Sequence, residues 1–368
     1  MSGDVLAVFI AVVGARFLVP LLIPRYPLPA IIASLVLDGY DQTIFQAFGY
    51  DPPGYQSYDK AMDVYYLAIA YLATMRNWEM LPAFRIGRAL YFYRLVGVVA
   101  FELLQVRALL LIFANTFEYF FIAYEAVRSR WSTMRFSFRW WLTAAALIWV
   151  FIKLPQEYWI HIAQLDLSDT LSENAWAPPL LVAILLALVA AFWFLLRPRL
   201  GPPDWNWKLG ADPLPEEMDT AAEQLAWHAK WGAVRSWATL EKVVLVGLIA
   251  VVYGEILPGV RSTTLQMFLG VGVVIVVNAG FTVALARRYW TITSAGLAFL
   301  VRLVGNVVLV FVADSLIDRG SGDLDASTTI FFLSLISLIT TLHDRYRPIL
   351  ATRVMAERAA GSQGRSTV

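Results

Sequence analysis

The chain contains no cysteine and only three histidines among its 368 residues. Without cysteine it has no disulfide, no thiolate metal site and no cysteine nucleophile, and three histidines argue against a histidine-rich metal or haem site. Charged residues make up only 15% of the chain, against about 25% in soluble domains. The formal net charge of +1 gives no electrostatic basis for binding nucleic acid.

Apolar residues are in excess instead. They account for 59% of the chain, against about 45–50% in soluble domains, and the mean hydropathy is +0.62. These values exclude a secreted enzyme, a cytosolic domain and a disordered chain. The sequence therefore predicts an all-α polytopic membrane protein, and we expect it in a bacterial plasma membrane with membrane lipids as its surroundings.

Ten segments have the length and apolar character of a helix that crosses a bilayer, about 20 residues each. With the N-terminus in the cytoplasm, most of the 29 lysines and arginines fall in inner loops, as the positive-inside rule requires. Both termini are therefore predicted to be cytoplasmic. The ten predicted spans are 5–24, 58–75, 88–105, 107–127, 138–154, 177–197, 242–257, 264–286, 291–313 and 327–343.

This topology predicts a single transmembrane domain over residues 1–347 with three long connections. The connections are a first outer loop at 25–58, a second outer loop at 155–176 and a cytoplasmic loop at 198–241. A helix from about Pro215 to Leu240 in the cytoplasmic loop is predicted to be amphipathic. It lies on the inner leaflet or packs on the protein itself. The basic tail at 348–368 is expected to be disordered.

The first outer loop and the start of the second span carry four aspartates. Asp38 and Asp41 are three residues apart and Asp59 and Asp63 are four apart, so each pair shares one face of a helix. Paired carboxylates are oxygen ligands suited to a divalent cation such as Mg²⁺ or Mn²⁺, and that cation can hold a phosphate. All four are candidate metal ligands, and Asp38 and Asp41 are candidate catalytic residues. The alternative is a solvated acidic loop.

Residues 38–63 are similar in one respect to CDP-alcohol phosphotransferases, because the four aspartates have the spacing of that family's motif. Gln42, Phe45 and Gln46 stand where the family has glycine, alanine and arginine, and Tyr55 replaces the glycine before the third aspartate. That family works at the cytoplasmic face, whereas the predicted topology places these residues outside. The chain is therefore not assigned to it.

A second resemblance is architectural. A cytoplasmic N-terminus, many spans and acids in the first outer loop resemble integral-membrane glycosyltransferases that use polyprenyl-phosphate sugars. The resemblance implies Asp38 or Asp41 as the matching acid. This pattern is short and does not assign the chain to that family.

The second outer loop adds a candidate acid–base pair. If the loop is helical, Glu157, His161 and Gln164 share one face, and Glu157 and His161 are one turn apart. Such a pair can move protons or bind a ligand, so both residues are candidate catalytic groups beside the four aspartates. Arg16, in the first span, is a candidate contact for a phosphate. The alternative for the loop is the wet face of an interfacial helix.

A charged residue inside a predicted span costs about 2.5–3.5 kcal/mol and needs a role. Besides Arg16, we single out Arg94, Glu118, Glu125 and Arg302. A pairing of Arg94 with Glu118 or Glu125 is expected. It serves as a structural ion pair or as part of a substrate or proton path.

Three functions remain open at this point. The first is an enzyme acting on a lipid-linked or phosphorylated substrate at the outer membrane face through the aspartates. The second is an ion- or proton-coupled transporter whose path is lined by Arg94, Glu118, Glu125, Asn278 and Arg302. The third is a non-catalytic membrane subunit or scaffold in which these residues are structural.

Overall fold

The fold is all-helical. The computed structural model describes residues 3–50, 52, 55–165, 170–171, 173–191, 193–194, 197–256, 263–287, 295–317 and 326–363. It is 83% helix, with no strand among those residues, which confirms the predicted all-α class. The α-helices are α1 Gly3–Leu18, α2 Pro27–Ala47, α3 Tyr55–Asn77, α4 Leu81–Leu104, α5 Ala108–Ile112, α6 Thr116–Arg128, α7 Phe138–Ile148, α8 Leu154–Glu157, α9 Ala177–Ala191, α10 Arg197–Leu200, α11 Ala221–Trp231, α12 Trp237–Ile256, α13 Thr264–Arg287, α14 Ala295–Ile317 and α15 Ala326–Gln363.

Within the described part of the chain, four helical segments are long and apolar enough to cross a membrane. They are Gly3–Leu22, Ala108–Arg128, Phe138–Ile162 and Thr264–Arg287, and Ala295–Val310 is a shorter apolar helix. Each of the four overlaps a span predicted from the sequence, which supports integration into a membrane. The count of ten spans and the cytoplasmic termini stay predictions.

The chain divides into two compact units. Unit 1 comprises Met1–Arg88 and Gly210–Val368, and unit 2 comprises Ala89–Leu209. In unit 1, α12 packs on α13, and α15 packs on α3 and α14. In unit 2, α6 packs on α7. The sequence-based prediction of one transmembrane domain over 1–347 stays a prediction.

Close helix contact in unit 1 depends on a glycine. A Cβ atom added at Gly247 of α12 would lie 2.6 Å from the ring of Phe268 on α13. That distance is too short for any side chain, so glycine allows the two helices to approach. By contrast, a Cβ atom at Gly270 of α13 meets nothing within 4 Å.

The connection predicted as the first outer loop, 25–58, contains a long helix, α2, and its placement outside the membrane stays a prediction. Helix α2 has 21 residues, equivalent to about 31 Å. Its buried residues lie on one face of the helix and are Pro27, Ala30, Ile31, Ser34, Asp41 and Phe45. The helix continues because its polar second half buries the same face against α1 and α3.

Two other boundaries differ from those expected. Two helices take the place of the single helix expected from Pro215 to Leu240. They are α11 and the start of α12, and residues 232–236 between them are not helical. Thr220 and Glu223 form a capping box that starts α11. The tail expected to be disordered continues α15 through Pro348 as far as Gln363, and 364–368 lie outside the described residues.

Helical structure also continues into the predicted second outer loop. Helical structure that starts at Phe138 extends to Ile162, so the first third of the predicted loop 155–176 belongs to a candidate span. Residues 166–169 of that loop lie outside the described residues, as do residues 291–294 at the start of the predicted span 291–313.

Candidate functional site

The four predicted metal ligands converge on one arginine. Arg16, near the end of α1, contacts carboxylates from α2 and α3. Its guanidinium nitrogens lie 2.5 Å from Asp38, 3.0 Å from Asp59 and 3.4 Å from Asp63, and it also donates to Asp41. We call these five residues the acidic cluster. They lie together because α1, α2 and α3 pack on one another in unit 1.

Exposure divides the four carboxylates into two kinds. The Asp41 side chain has no exposed surface, and only 3% of the Arg16 side chain is exposed. In contrast, 24% of Asp38, 34% of Asp59 and 40% of Asp63 is exposed. Asp41 therefore anchors the arginine from inside, while the other three carboxylates retain a surface that a ligand can reach.

A tyrosine holds Asp41 in place from the start of α3. The Tyr55 hydroxyl donates a hydrogen bond to Oδ1 of Asp41. Burial and this hydrogen bond raise the pKa of the Tyr55 phenol above its usual range, so the hydroxyl remains a donor at neutral pH. The Tyr58 ring lies 5.6 Å from the Arg16 guanidinium, within range of a cation–π contact. No role was predicted from the sequence for Tyr55 or Tyr58.

The geometry fits a divalent cation. One carboxylate oxygen each from Asp38, Asp59 and Asp63 lie within 4.8 Å of one another. Oxygens that bind one Mg²⁺ or Ca²⁺ ion at about 2.0–2.6 Å cannot be further apart than about 5 Å. The charge balance is compatible with a cation, because one guanidinium is shared among four carboxyl groups. Each carboxylate has two oxygens, so contact with Arg16 and with a metal are compatible.

The predicted acid–base pair forms in unit 2. His161 Nε2 lies 3.0 Å from Glu157 Oε2, and Lys153 Nζ lies 3.5 Å from Glu157 Oε1. The backbone N–H of Asn115 also donates to Glu157, at 3.0 Å. The helix ends at Ile162 and Gln164 has a φ of 53°, so Gln164 does not continue this face. The pair and the acidic cluster belong to different units, and their convergence stays a prediction.

The prediction that Arg94 pairs with Glu118 or Glu125 is wrong. Arg94 donates to the backbone oxygen of Phe113 at 3.1 Å rather than to Glu118 or Glu125. Glu125 pairs within its own helix with Arg128, at 2.5 Å. Glu118 accepts from the side chain of Asn115 at 2.9 Å. Near neighbours in sequence thus contact both buried acids, which is compatible with the structural role considered for them.

Arg302 joins three helices of unit 1. It donates to Asn278 Oδ1 at 3.1 Å, to Thr341 Oγ1 at 2.8 Å and to Asp344 Oδ2 at 2.8 Å. Asp344 also binds Lys242 Nζ at 2.5 Å. Asn278 and Arg302 therefore link these helices by side-chain hydrogen bonds. Asp344 was not predicted from the sequence, because it lies one residue past the end of the last predicted span.

Comparison of the chain with protein-family models, with curated proteins and with solved structures finds no match. Functional inference for this chain therefore depends on the geometry of its own residues.

Proposed function

We propose that this protein is a polytopic membrane enzyme acting on a lipid-linked or phosphorylated substrate at the acidic cluster. The observation that carries the proposal is that three partly exposed carboxylates, Asp38, Asp59 and Asp63, have ligand oxygens within 4.8 Å of one another. Carboxylates this close repel one another. An acidic loop in solvent would therefore spread its four carboxylates apart and not hold them around one buried arginine.

Each residue of the acidic cluster has a distinct role in this proposal. Asp38, Asp59 and Asp63 bind a divalent cation, which would polarise a phosphoryl oxygen and orient the substrate. Asp41 is a positioning residue that holds the Arg16 guanidinium from the buried side. Arg16 is only 3% exposed and already contacts four carboxylates, so it is also a positioning residue and not the phosphate contact considered from the sequence.

The topology is part of the same proposal. Ten spans with both termini in the cytoplasm of a bacterial plasma membrane account for the distribution of lysine and arginine along the chain. In this arrangement α2 does not cross, since its second half carries two aspartates and two glutamines. The acidic cluster then opens to the outer face.

The transporter remains the second candidate because unit 1 buries a charged and amide network around Arg302. Its predicted path also needed Arg94, Glu118 and Glu125, which lie in unit 2. The network around Arg302 links helices by side-chain hydrogen bonds, so a structural role accounts for it. The enzyme is therefore preferred.

Metal binding is the first experiment. The full-length protein in maltoside micelles is heated with and without millimolar Mg²⁺ or Mn²⁺, and its melting temperature is followed by the fluorescence of its 14 tryptophans. A ligand at 100 times its Kd stabilises the folded state by about 2.7 kcal/mol. We expect the metal-dependent rise in wild type, a loss of that rise in Asp38→Asn and Asp59→Asn, and an unchanged rise in Asp4→Asn, an exposed control on α1.

Turnover is the second experiment. The protein is incubated with a total lipid extract, with and without Mg²⁺, and the lipids are compared by mass spectrometry. A product that requires both wild-type protein and metal, and that Asp59→Asn does not form, supports the enzyme. Metal binding without any such product would support a cation-binding scaffold or transporter, and the absence of both would remove the acidic cluster as a site.

A further inference from the structure

A second cleft in unit 1 is separate from the acidic cluster. It lies between α11, α12, α13 and α15 and has a volume of about 290 Å³. Trp227, Lys242, His343 and Arg347 line it, and we call it the donor cleft. Its volume is several times the roughly 30 Å³ that one water occupies in the liquid, so it has room for more than a single solvent molecule.

Three side chains that line the donor cleft have buried polar atoms without a partner among the described residues. They are Nε1 of Trp227, Nε of Arg347 and both ring nitrogens of His343. His343 is only 1% exposed, and its Nδ1 is 3.9 Å from Asp344 Oδ1, too far for a hydrogen bond. Native proteins rarely leave buried polar groups unpaired, so three around one cleft indicate a missing acceptor.

The unpaired groups and the local charge define the chemistry of that acceptor. Trp Nε1–H and Arg Nε–H can only donate. Among the charged residues here, Lys242 and Arg302 share the single carboxylate of Asp344, while Arg347 adds a further positive charge. His228 contributes no charge, since burial lowers its pKa below the ordinary value. Donors and excess positive charge together select an anion with several oxygens.

A second, smaller cleft of about 160 Å³ adjoins the donor cleft at the Asp344–Arg302 pair. Phe281, Leu285 and Val301 form the apolar part of its lining, next to Arg302 and Asp344. An apolar surface beside the donors gives room for the start of an acyl chain next to a charged headgroup.

We propose that the donor cleft binds a phosphoryl anion, with Arg347, Trp227 and His343 as its donors. The oxygens of a phosphoryl group point in several directions, which suits donors that come from two helices. A carboxylate has only two oxygens in one plane. The anion is a lipid headgroup or a free phosphate, and the experiment below separates these two sources. The proposal uses no residue of the acidic cluster and stands whether or not that cluster is catalytic.

Equilibrium binding to the full-length protein in maltoside micelles tests the proposal. One probe is inorganic phosphate, compared with sodium chloride at equal ionic strength. The other is lysophosphatidic acid, compared with the uncharged monoacylglycerol that has the same chain. Arg347→Gln removes the guanidinium donors together with the positive charge, and Trp227→Phe removes the indole N–H donor. Arg358→Gln is the matched control, because it removes the same charge from an exposed position of the same helix.

We expect saturable binding of at least one phosphorylated probe and none of its control. Losing a charge-assisted hydrogen bond should raise Kd at least tenfold in Arg347→Gln, and losing a neutral one about fivefold in Trp227→Phe. Arg358→Gln should stay within about twofold. Binding of the lipid probe alone identifies a headgroup site, and binding of phosphate alone a soluble anion. No saturable binding of either probe, or equal weakening in Arg358→Gln, overturns the proposal.

Discussion

Replacing Arg16 with glutamine is the most demanding test of the acidic cluster. The guanidinium is almost fully buried and contacts four carboxylates, of which Asp41 has no exposed surface. Removing one partner of a buried ion pair typically costs about 3–5 kcal/mol, because the remaining charge is left unpaired. Arg16→Gln should cost at least that much, since it leaves several carboxylates facing one another.

The assay is thermal unfolding of the full chain in maltoside micelles at a fixed scan rate. At about 2–4 °C per kcal/mol for domains of 150–250 residues, the expected fall in melting temperature is on the order of 10 °C. Arg16→Lys should fall less, because lysine keeps the charge but cannot present a planar fork to several carboxylates. Millimolar Mg²⁺ should recover part of the loss in Arg16→Gln, because a bound cation replaces the missing positive charge.

Arg25→Gln provides the control. Arg25 is exposed on the same helical hairpin and lies over the Tyr26 ring, so its loss should change the free energy of unfolding by no more than about 0.5 kcal/mol. The reasoning is refuted if Arg16→Gln melts at the same temperature as Arg25→Gln. That outcome would mean that the four carboxylates do not depend on Arg16 and that the cluster is not an integrated site.

Three further outcomes can be measured with the same preparation or in cells. Gly247→Ala should lose about 1–3 kcal/mol of stability because its Cβ clashes with the Phe268 ring. Gly270→Ala, with open space around it, should lose none. Equal melting temperatures of these two variants would contradict the close approach of α12 and α13. Asp344→Asn should cost about 3–5 kcal/mol, because its lysine and arginine partners lose their carboxylate, and a loss under 1 kcal/mol in thermal unfolding would argue against this pairing. Phe48→Cys introduces the chain's only thiol at an exposed position after α2, and a membrane-impermeant maleimide should label it in intact cells; labelling only after permeabilisation would place the acidic cluster at the cytoplasmic face.

The helical periodicity of the aspartates was a reliable guide to local geometry. Pairs spaced by three and four residues share a helix face whatever the rest of the chain does, and both pairs lie on helices. Apolar length alone did not identify α2 within the segment 25–58. A helix also forms where polar residues occupy its outer face, as the second half of α2 does.

Partners distant in sequence were beyond prediction. A buried arginine such as Arg16 must find an anion, but the choice among 28 acidic residues depends on which helices pack together. The same holds for Lys242 and Asp344, which are 102 positions apart. Arg94 shows the converse, because Glu125 pairs with Arg128 of its own helix and Arg94 donates to a backbone oxygen.

The sequence by itself determined that this is a helical protein with segments suited to a membrane, because composition and helical periodicity are properties of short stretches that need no tertiary contact. It also placed the carboxylates in face-sharing pairs. Only the tertiary structure decided that α1, α2 and α3 bring the two pairs around Arg16, and that Trp227, His343 and Arg347 surround one cleft. Such sites depend on packing between helices, and packing is the sum of many weak contacts that no single segment specifies.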